Sequence, residues 1–337
     1  MISMALNRKK EINIAPQKTD LSNGDTLIEF RNVSKKYKSL LALDNISFKI
    51  QKGEVFGYIG PNGAGKTTTI KILVGLIRDY LGEVYVDGKN ITINRDDFHH
   101  LIGYHPQEAG FQEWRTVDHA FRTFGRLSGL SKLQVEHRTN EILNILNLLD
   151  ARYKKIVHLS SGMFQKLRLG QALLHEPEIL VLDEPLSGLD PSSRFQFKNI
   201  IKKLAKSGIT ILFSSHILSD VQDIADRIGI INYGQIMKIG TPEDLQSSFN
   251  IGNIIQIEVA ENTAFCKGLE DLKNVEYIEK VRSNIQLIHL KSDIDVDLVI
   301  NLILNKFIEQ KCKIRNFNLV KPSLEDVYLK YVGGGTL

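Results

Sequence analysis

Short, wholly apolar runs recur through the middle of this chain, separated by stretches of helical periodicity. "EVFGYIG", "ILVLD", "ITILF" and "RIGII" are too short for helices and too uniformly apolar for strands with one wet face. They predict strands buried on both faces of a parallel sheet, with helices between them. Upstream, "LIEFRNVS", "NISFKI", "GEVYVDG" and "LIGYHPQ" predict further strands, and "KTTTIKILVGLI" predicts a helix opening straight after "EVFGYIG". From Thr116 the period changes: Val117, Ala120, Phe121, Phe124 and Leu127 recur at helical spacing. The pattern continues through "VEHRTNEILNILNLLD" and "FQKLRLGQALL". A helical insertion at about 112–165, inside an α/β domain spanning 27–245, accounts for this order.

Beyond "INYGQIMKIGTPEDL" the polar stretch "QSSFNIGN" reads as a linker. The strands "IIQIEVA", "NIQLIHL" and "KCKIRNFNLV" and the helix "DVDLVINLILNKFI" follow, predicting a small α+β accessory domain over 250–333 with a flexible "GGGTL" tail. Residues 1–26 alternate polar and charged positions without a continuous apolar core, so they read as a flexible extension, not a secretory signal. No run approaches the roughly 18 apolar residues of a membrane-spanning helix, which predicts a soluble chain.

Composition narrows this picture. A length of 337 residues suits one large domain plus a smaller one, and 42% apolar residues suffice for real cores. With 43 Lys and Arg against 39 Asp and Glu, the net charge of +4 is slight and dispersed, which argues against nucleic acid as a partner. Cys266 and Cys312 lie far apart in sequence without metal-ligand spacing, as expected of ordinary thiols in a reducing compartment.

Two stretches carry chemistry. "GPNGAGKTT" satisfies G-x-x-x-x-G-K-[ST] from Gly60 to Thr67, between an apolar strand and a helix, where a phosphate cradle requires it. Gly60, Gly63 and Gly65 let the backbone curl so that successive N–H groups face a phosphate; Lys66 adds charge and Thr67 a hydroxyl for Mg²⁺, and Asn62 and Thr68 complete the loop. "ILVLDEP" ends a buried strand on Asp183, suited to hold Mg²⁺ through water, followed by Glu184. Successive strand residues face different ways, so one carboxylate can serve the metal and the other the attacking water. The bland alternative is that Glu184 only neutralises a nearby cation.

"GPNGAGKTT", "LSSGM", "ILVLDEP", "SGLD" and "SSH", in this order, resemble the ATPase subunit of an ABC transporter over about Leu27 to Leu245. The resemblance implies the fold: a P-loop ATPase domain of the α/β class with an antiparallel β layer and a helical insertion, followed here by the α+β domain. It implies ATP and Mg²⁺ as cofactors and ATP hydrolysis as the reaction. Tyr37, in "SKKYKSLLAL", takes the place of the aromatic that stacks on adenine, the alternative being a core strand tyrosine. Gln107, in "GYHPQE", takes the place of the glutamine that reaches Mg²⁺ and the attacking water, His216 that of the switch histidine at the γ-phosphate, and Asp190 that of the loop linking two ATPase subunits.

"LSSGM" matches the family signature, usually Leu-Ser-Gly-Gly-Gln, which closes over the ATP held by a second subunit. Ser161 replaces the first glycine and Met163 the glutamine, while Ser160 and Gly162 keep the donor and close-approach positions. Met163 resembles the branch that powers drug, antibiotic and other small-cargo exporters, and the C-terminal "KPSLEDVYLKY" resembles the closing helix of exporter-type subunits. The resemblance implies a membrane-spanning permease subunit, a second ATPase subunit that is a copy or close relative, and a place on the cytoplasmic face of the membrane, held through the permease. The competing reading is a soluble ATPase of this type acting on ribosomes or nucleic acid. Trp114 falls where the family docks a membrane-subunit helix, or else is packing. "RDDFHHLIGY" reads as a polar surface helix, not a metal site, and the segment after residue 250, which has no phosphate loop, is expected not to be part of the hydrolytic site but to regulate or stabilise the dimer.

Overall fold

The computed structural model describes residues 25–93, 98–108, 110–247, 254–260, 265–291, 294–320 and 324–332. The N-terminal extension, much of the "QSSFNIGN" linker, Arg95 to Asp97 of "RDDFHH" and the "GGGTL" tail lie outside these residues.

Strands β1 (Thr26–Tyr37) and β2 (Leu40–Gln51) pair antiparallel, and β1 pairs again with β4 (Leu81–Val86), which carries the short β5 (Lys89–Asn90). Their alternating burial turns Ile28, Phe30, Phe48 and Ile50 inward, where Phe30 and Phe48 stack with ring centroids 4.5 Å apart. This layer covers one face of a six-stranded sheet. That sheet contains β3 (Val55–Ile59), β6 (Ile102–His105), β7 (Ile179–Leu182), β8 (Thr210–Ser215), β9 (Arg227–Asn232) and β10 (Gln235–Gly240) in the order β10-β9-β3-β8-β7-β6. All pairings are parallel except β9 with β10. Strands β3, β7 and β8 are buried along their whole length, as their unbroken apolar runs require.

Helix α1 (Lys66–Leu73) follows β3. It stops well short of the end of its apolar stretch because Gly75 turns the chain at φ 76°. Helices α2 (Val117–Leu127) and α3 (Lys132–Ile145) form the insertion, each started by a side-chain cap from Thr116 and Ser131. Arg152 ties them together, donating to Asp118 at 2.7 Å and to Glu136 at 2.8 Å. Helices α4 (Ser161–Leu173), α5 (Pro191–Lys206), α6 (Leu218–Gln222) and α7 (Pro242–Ser247) complete the larger part.

The C-terminal part has its own core. Strands β11 (Ile254–Val259), β12 (Val275–Arg282), β13 (Ile285–Leu290) and β14 (Ile314–Val320) form an antiparallel sheet in the order β12-β13-β11-β14. Helix α8 (Val296–Glu309) packs Val299, Ile303 and Phe307 against Ile255, Ile257 and Val259. Cys266 and Cys312 belong to this core as free thiols. The last helix, α9 (Leu324–Val332), leaves that core: Leu324 is buried among the residues of the larger one, beside Leu218, Val221 and Leu245.

One expectation changes, and one strand is added. The described part of "RDDFHHLIGY" before β6 is a single 3-10 turn, His99–Leu101, with Phe98 buried, instead of a surface helix. Strand β12 carries no apolar period because it is an exposed edge strand.

Candidate functional site

The carboxyl ends of β3, β7 and β8 lie side by side, and each delivers one part of the site. After β3 the chain curls through the phosphate loop. A side chain at Gly60 would place its Cβ 2.3 Å from the Ile231 carbonyl oxygen, and one at Gly65, already at φ 112°, 2.7 Å from that of Ala42. Both positions therefore demand glycine. Gly65 opens α1 with no side chain capping it, which leaves the first-turn N–H groups facing the loop.

Lys66 folds back into the loop and is buried, its ammonium donating to the Gly60 carbonyl at 2.6 Å and the Pro61 carbonyl at 3.2 Å. It also lies 3.2 Å from Glu184 Oε1. The other oxygen of Glu184 accepts from His216 Nδ1 at 2.8 Å. Glu184 holds a left-handed backbone, φ 48°, two residues past the end of β7, and its side chain meets both. Asp183, one residue earlier, points the other way. Its Oδ1 accepts from Thr67 Oγ1 at 3.3 Å and Ser214 Oγ at 2.8 Å. Its Oδ2 is buried without a hydrogen-bond partner. Burial first, and then the negative charge of Glu184, push the Asp183 carboxyl above its ordinary range. An orphaned, buried carboxylate oxygen beside a threonine hydroxyl fits a hard cation, which favours oxygen ligands and would relieve the desolvation.

Lys66, Thr67, Asp183, Glu184 and His216 are thus brought into one cluster. Asn62 and Gly63 are exposed along the loop, and Thr68 is half-buried in the first turn of α1. Tyr37 is exposed at the end of β1, with Lys35 Nζ 5.0 Å from its ring centre, so it is not a core tyrosine. Gln107 is exposed just past β6. Trp114 is 67% exposed, its ring 4.8 Å from the Arg115 guanidinium, which removes the packing alternative.

The signature stretch forms a second constellation. Ser160 caps α4, its hydroxyl accepting from the Met163 N–H at 3.3 Å. Asp190 caps α5, accepting from Ser193 N–H at 3.0 Å and Ser193 Oγ at 2.6 Å, and these bonds hold its carboxyl below the ordinary range. Gly162 joins the two helix starts: a Cβ there would come 2.5 Å from Ser193 Oγ and 2.9 Å from Ser193 Cβ. Ser160, Gly162 and Asp190 are therefore brought together at the paired starts of α4 and α5.

Ser214 escaped sequence reasoning. It donates to the Asp183 carboxylate at 2.8 Å and accepts the Glu184 N–H at 2.9 Å, so it holds one carboxylate and the backbone that carries the other. Its signal was a hydroxyl at the end of an otherwise apolar strand. The C-terminal segment reaches the edge of the cluster: Leu324, Glu325 and Tyr328 of α9 share a cavity with His216.

The model of the ABC transporter family matches residues 43–187, and that of the C-terminal domain of DrrA1-3-like ATP-binding proteins matches 240–332. The linearmycin resistance ATP-binding protein LnrL of Bacillus subtilis is 32% identical over 91% of this chain and 98% of its own. The bacitracin transport ATP-binding protein BcrA of Bacillus licheniformis is 31% identical over 93% of this chain and 99% of its own. Among solved structures, the ADP conformation of MJ1267, an ATP-binding cassette of an ABC transporter, superposes with a TM-score of 0.58 at 29% identity, over 65% of this chain and 92% of that one. The dimeric post-hydrolysis state of the cassette MJ0796, bound to ADP and Pi, gives 0.59 at 25% identity, over 64% and 98%.

Proposed function

The chain belongs to the ATP-binding subunits of ABC transporters, and from that premise we propose that its hydrolysis of ATP drives export of a small drug-like or antibiotic-like cargo through a separate membrane-spanning permease. The observation that carries the hydrolytic assignment is the convergence of Lys66, Glu184 and His216 within 3.2 Å contacts at the ends of the central strands.

In this reading the loop N–H groups and Lys66 bind the β- and γ-phosphates, Tyr37 supports adenine, and Thr67, Asp183 and Gln107 hold Mg²⁺. The ion supplies charge neutralisation to the phosphates when bound. Glu184 takes the proton of the attacking water, and His216 steadies Glu184 and the γ-phosphate. Lys66 must exchange Glu184 for phosphate as the nucleotide enters, which frees one carboxylate oxygen for water. Ser160, Gly162 and Asp190 face the nucleotide of a second ATPase subunit, a reading supported by the dimeric cassette the chain resembles.

We assign 27–245 to the ATPase domain and 250–333 to the accessory domain, supported by the two cores they build, with α9 of the accessory part returning to the larger one. Among the described residues no helix is long and apolar enough to cross a membrane, so attachment to the cytoplasmic face through the permease is the consistent placement. Exposed Trp114, beside the Gln107 loop, suits a docking contact with that permease. The relatives named for linearmycin resistance and bacitracin transport support the cargo class and the outward direction. No observation favours the ribosome or nucleic-acid alternative.

The test is mild detergent extraction of the tagged chain from its own membranes, followed by identification of what co-purifies and by ATPase assay. A polytopic membrane protein and Mg²⁺-dependent turnover that Lys66→Ala abolishes are expected. Ribosomal proteins in its place, or turnover surviving Lys66→Ala, would defeat the proposal.

A further inference from the structure

His216 meets Glu184 from the turn between β8 and α6. Ile217, its immediate neighbour, is tied on two sides: the Ile217 N–H donates to Ser215 Oγ at 3.0 Å, while its carbonyl accepts from that hydroxyl at 3.2 Å and from the Asp220 N–H at 3.3 Å. Asp220 is therefore part of the turn that carries the histidine. Its carboxylate, however, reaches to α5.

That carboxylate is nearly wholly buried, at 2% exposure. Two cations one turn apart on α5 converge on its Oδ1, Lys198 Nζ at 3.2 Å and Arg194 Nη1 at 3.5 Å, although neither is aligned as a hydrogen bond. Lys198 also donates to the Ser219 carbonyl at 3.0 Å and to Asp223 Oδ2 at 2.9 Å, so α5 grips α6 along its length. Stability alone does not call for such a clasp, because desolvating buried charges offsets most of their attraction and apolar side chains of similar volume serve as well or better. A charged clasp does fix one carboxylate in one place, and with it the turn.

The arm that provides the clasp begins at the signature stretch. Asp190 caps α5, and the Arg194 N–H donates to the Asp190 carbonyl at 2.9 Å. Arg194 directly follows Ser193, which fills the Cβ direction of Gly162.

We propose that Asp220, clasped by Arg194 and Lys198, is a positioning residue for ATP hydrolysis that fixes the His216 turn to α5, a role that rests on the assignment of Glu184 and His216 to that reaction. The helix that starts at the signature stretch is then the arm that holds the hydrolytic histidine of its own chain.

The experiment uses the full chain as Asp220→Asn, His216→Ala, these two combined, and a triple variant, Arg194→Met with Lys198→Met and Asp220→Leu. Each is measured for kcat, KM for MgATP, affinity for a non-hydrolysable ATP analogue and thermal midpoint. Asp220→Asn keeps the shape and removes the charge that both cations meet. It is expected to lower kcat by about tenfold, with KM and analogue affinity close to wild type. Added to His216→Ala it should lower kcat by less than about twofold further, because both changes act through one imidazole. The triple variant exchanges the clasp for apolar side chains, so its thermal midpoint should equal or exceed that of wild type while kcat stays low. Wild-type kcat in Asp220→Asn or in the triple variant would show that the clasp only packs and would overturn the proposal. So would a combined variant in which the two losses simply multiply. Wild-type turnover in His216→Ala would instead sink the assignment of the site on which the role of Asp220 depends.

Discussion

Lys66 and Glu184 face each other at 3.2 Å, both buried, so the cation we assign to phosphate is held by the carboxylate we assign to the attacking water. This contact predicts opposite consequences for the two residues. Lys66→Ala removes the charge and should abolish tight ATP binding. Glu184→Gln releases Lys66 from a competing carboxylate, so affinity for ATP should equal or exceed that of wild type while turnover falls by about 10²–10⁴-fold. Equilibrium binding with a fluorescent ATP analogue, beside single-turnover hydrolysis, checks the pair. Parallel loss of binding in both variants would refute the division of labour.

His105 makes stability depend on pH. Its ring is fully buried on β6 with both nitrogens unpartnered, and burial, reinforced by the Arg168 charge, lowers its pKa to about 4. The folded state therefore keeps the neutral form while the unfolded chain takes up a proton. Stability from this residue is complete above about pH 6.5 and is lost as pH falls toward 4. The loss is on the order of 3 kcal/mol. His175, lowered by burial as well, adds in the same direction. His105→Leu removes two orphaned polar atoms and should flatten the acid limb of a urea-denaturation series without destabilising the protein at neutral pH. An unchanged acid limb would place the dependence elsewhere.

The docking of α9 on the larger core can be weighed directly. Leu324 is 1% exposed in the larger core, so Leu324→Ala should cost about 2–4 kcal/mol. Asn232→Ala, which takes the donor from the Tyr331 and Val332 carbonyls at the helix end, should cost about 1 kcal/mol. Chemical denaturation reads both. A neutral Leu324→Ala would mean that α9 does not rest on the ATPase core in solution.

What the sequence disclosed was the chemistry whose parts are local. The phosphate loop lies between its strand and helix, Asp183 and Glu184 are neighbours on one strand end, and His216 directly follows another. The sequence did not disclose what depends on long-range packing. Nothing in "SLEDVYLKY" says that Leu324 meets Leu218 or that Tyr328 shares a cavity with His216, because these contacts join segments far apart in the chain. Strand β12 was hidden because an exposed edge has no buried face to impose a period of two. Nor did the sequence disclose that the Cβ direction of Gly162, the close-approach position of the signature stretch, is already filled by Ser193 of its own chain.

That last contact decides how a composite site should be tested. Any side chain at Gly162 strains the α4–α5 contact inside one subunit, so loss of function there would not distinguish intermolecular from intramolecular causes. Ser160 is the cleaner probe. It is exposed and acts as an N-cap, accepting from Met163 N–H, and aspartate serves that position as well as serine does. Ser160→Asp should therefore leave the thermal midpoint and monomeric ATP binding intact while placing a negative charge where the second subunit's phosphate would come. ATP-dependent dimerisation of the Glu184→Gln background, followed by size exclusion with light scattering, should fall sharply. Mixing then becomes diagnostic. In a dimer of Lys66→Ala with Ser160→Asp, both defects fall on one composite site and the other is wholly intact, so the mixture should recover part of the pairing that neither variant shows alone. If Ser160→Asp pairs normally, or abolishes nucleotide binding by the monomer, the signature stretch does not serve a second subunit's ATP.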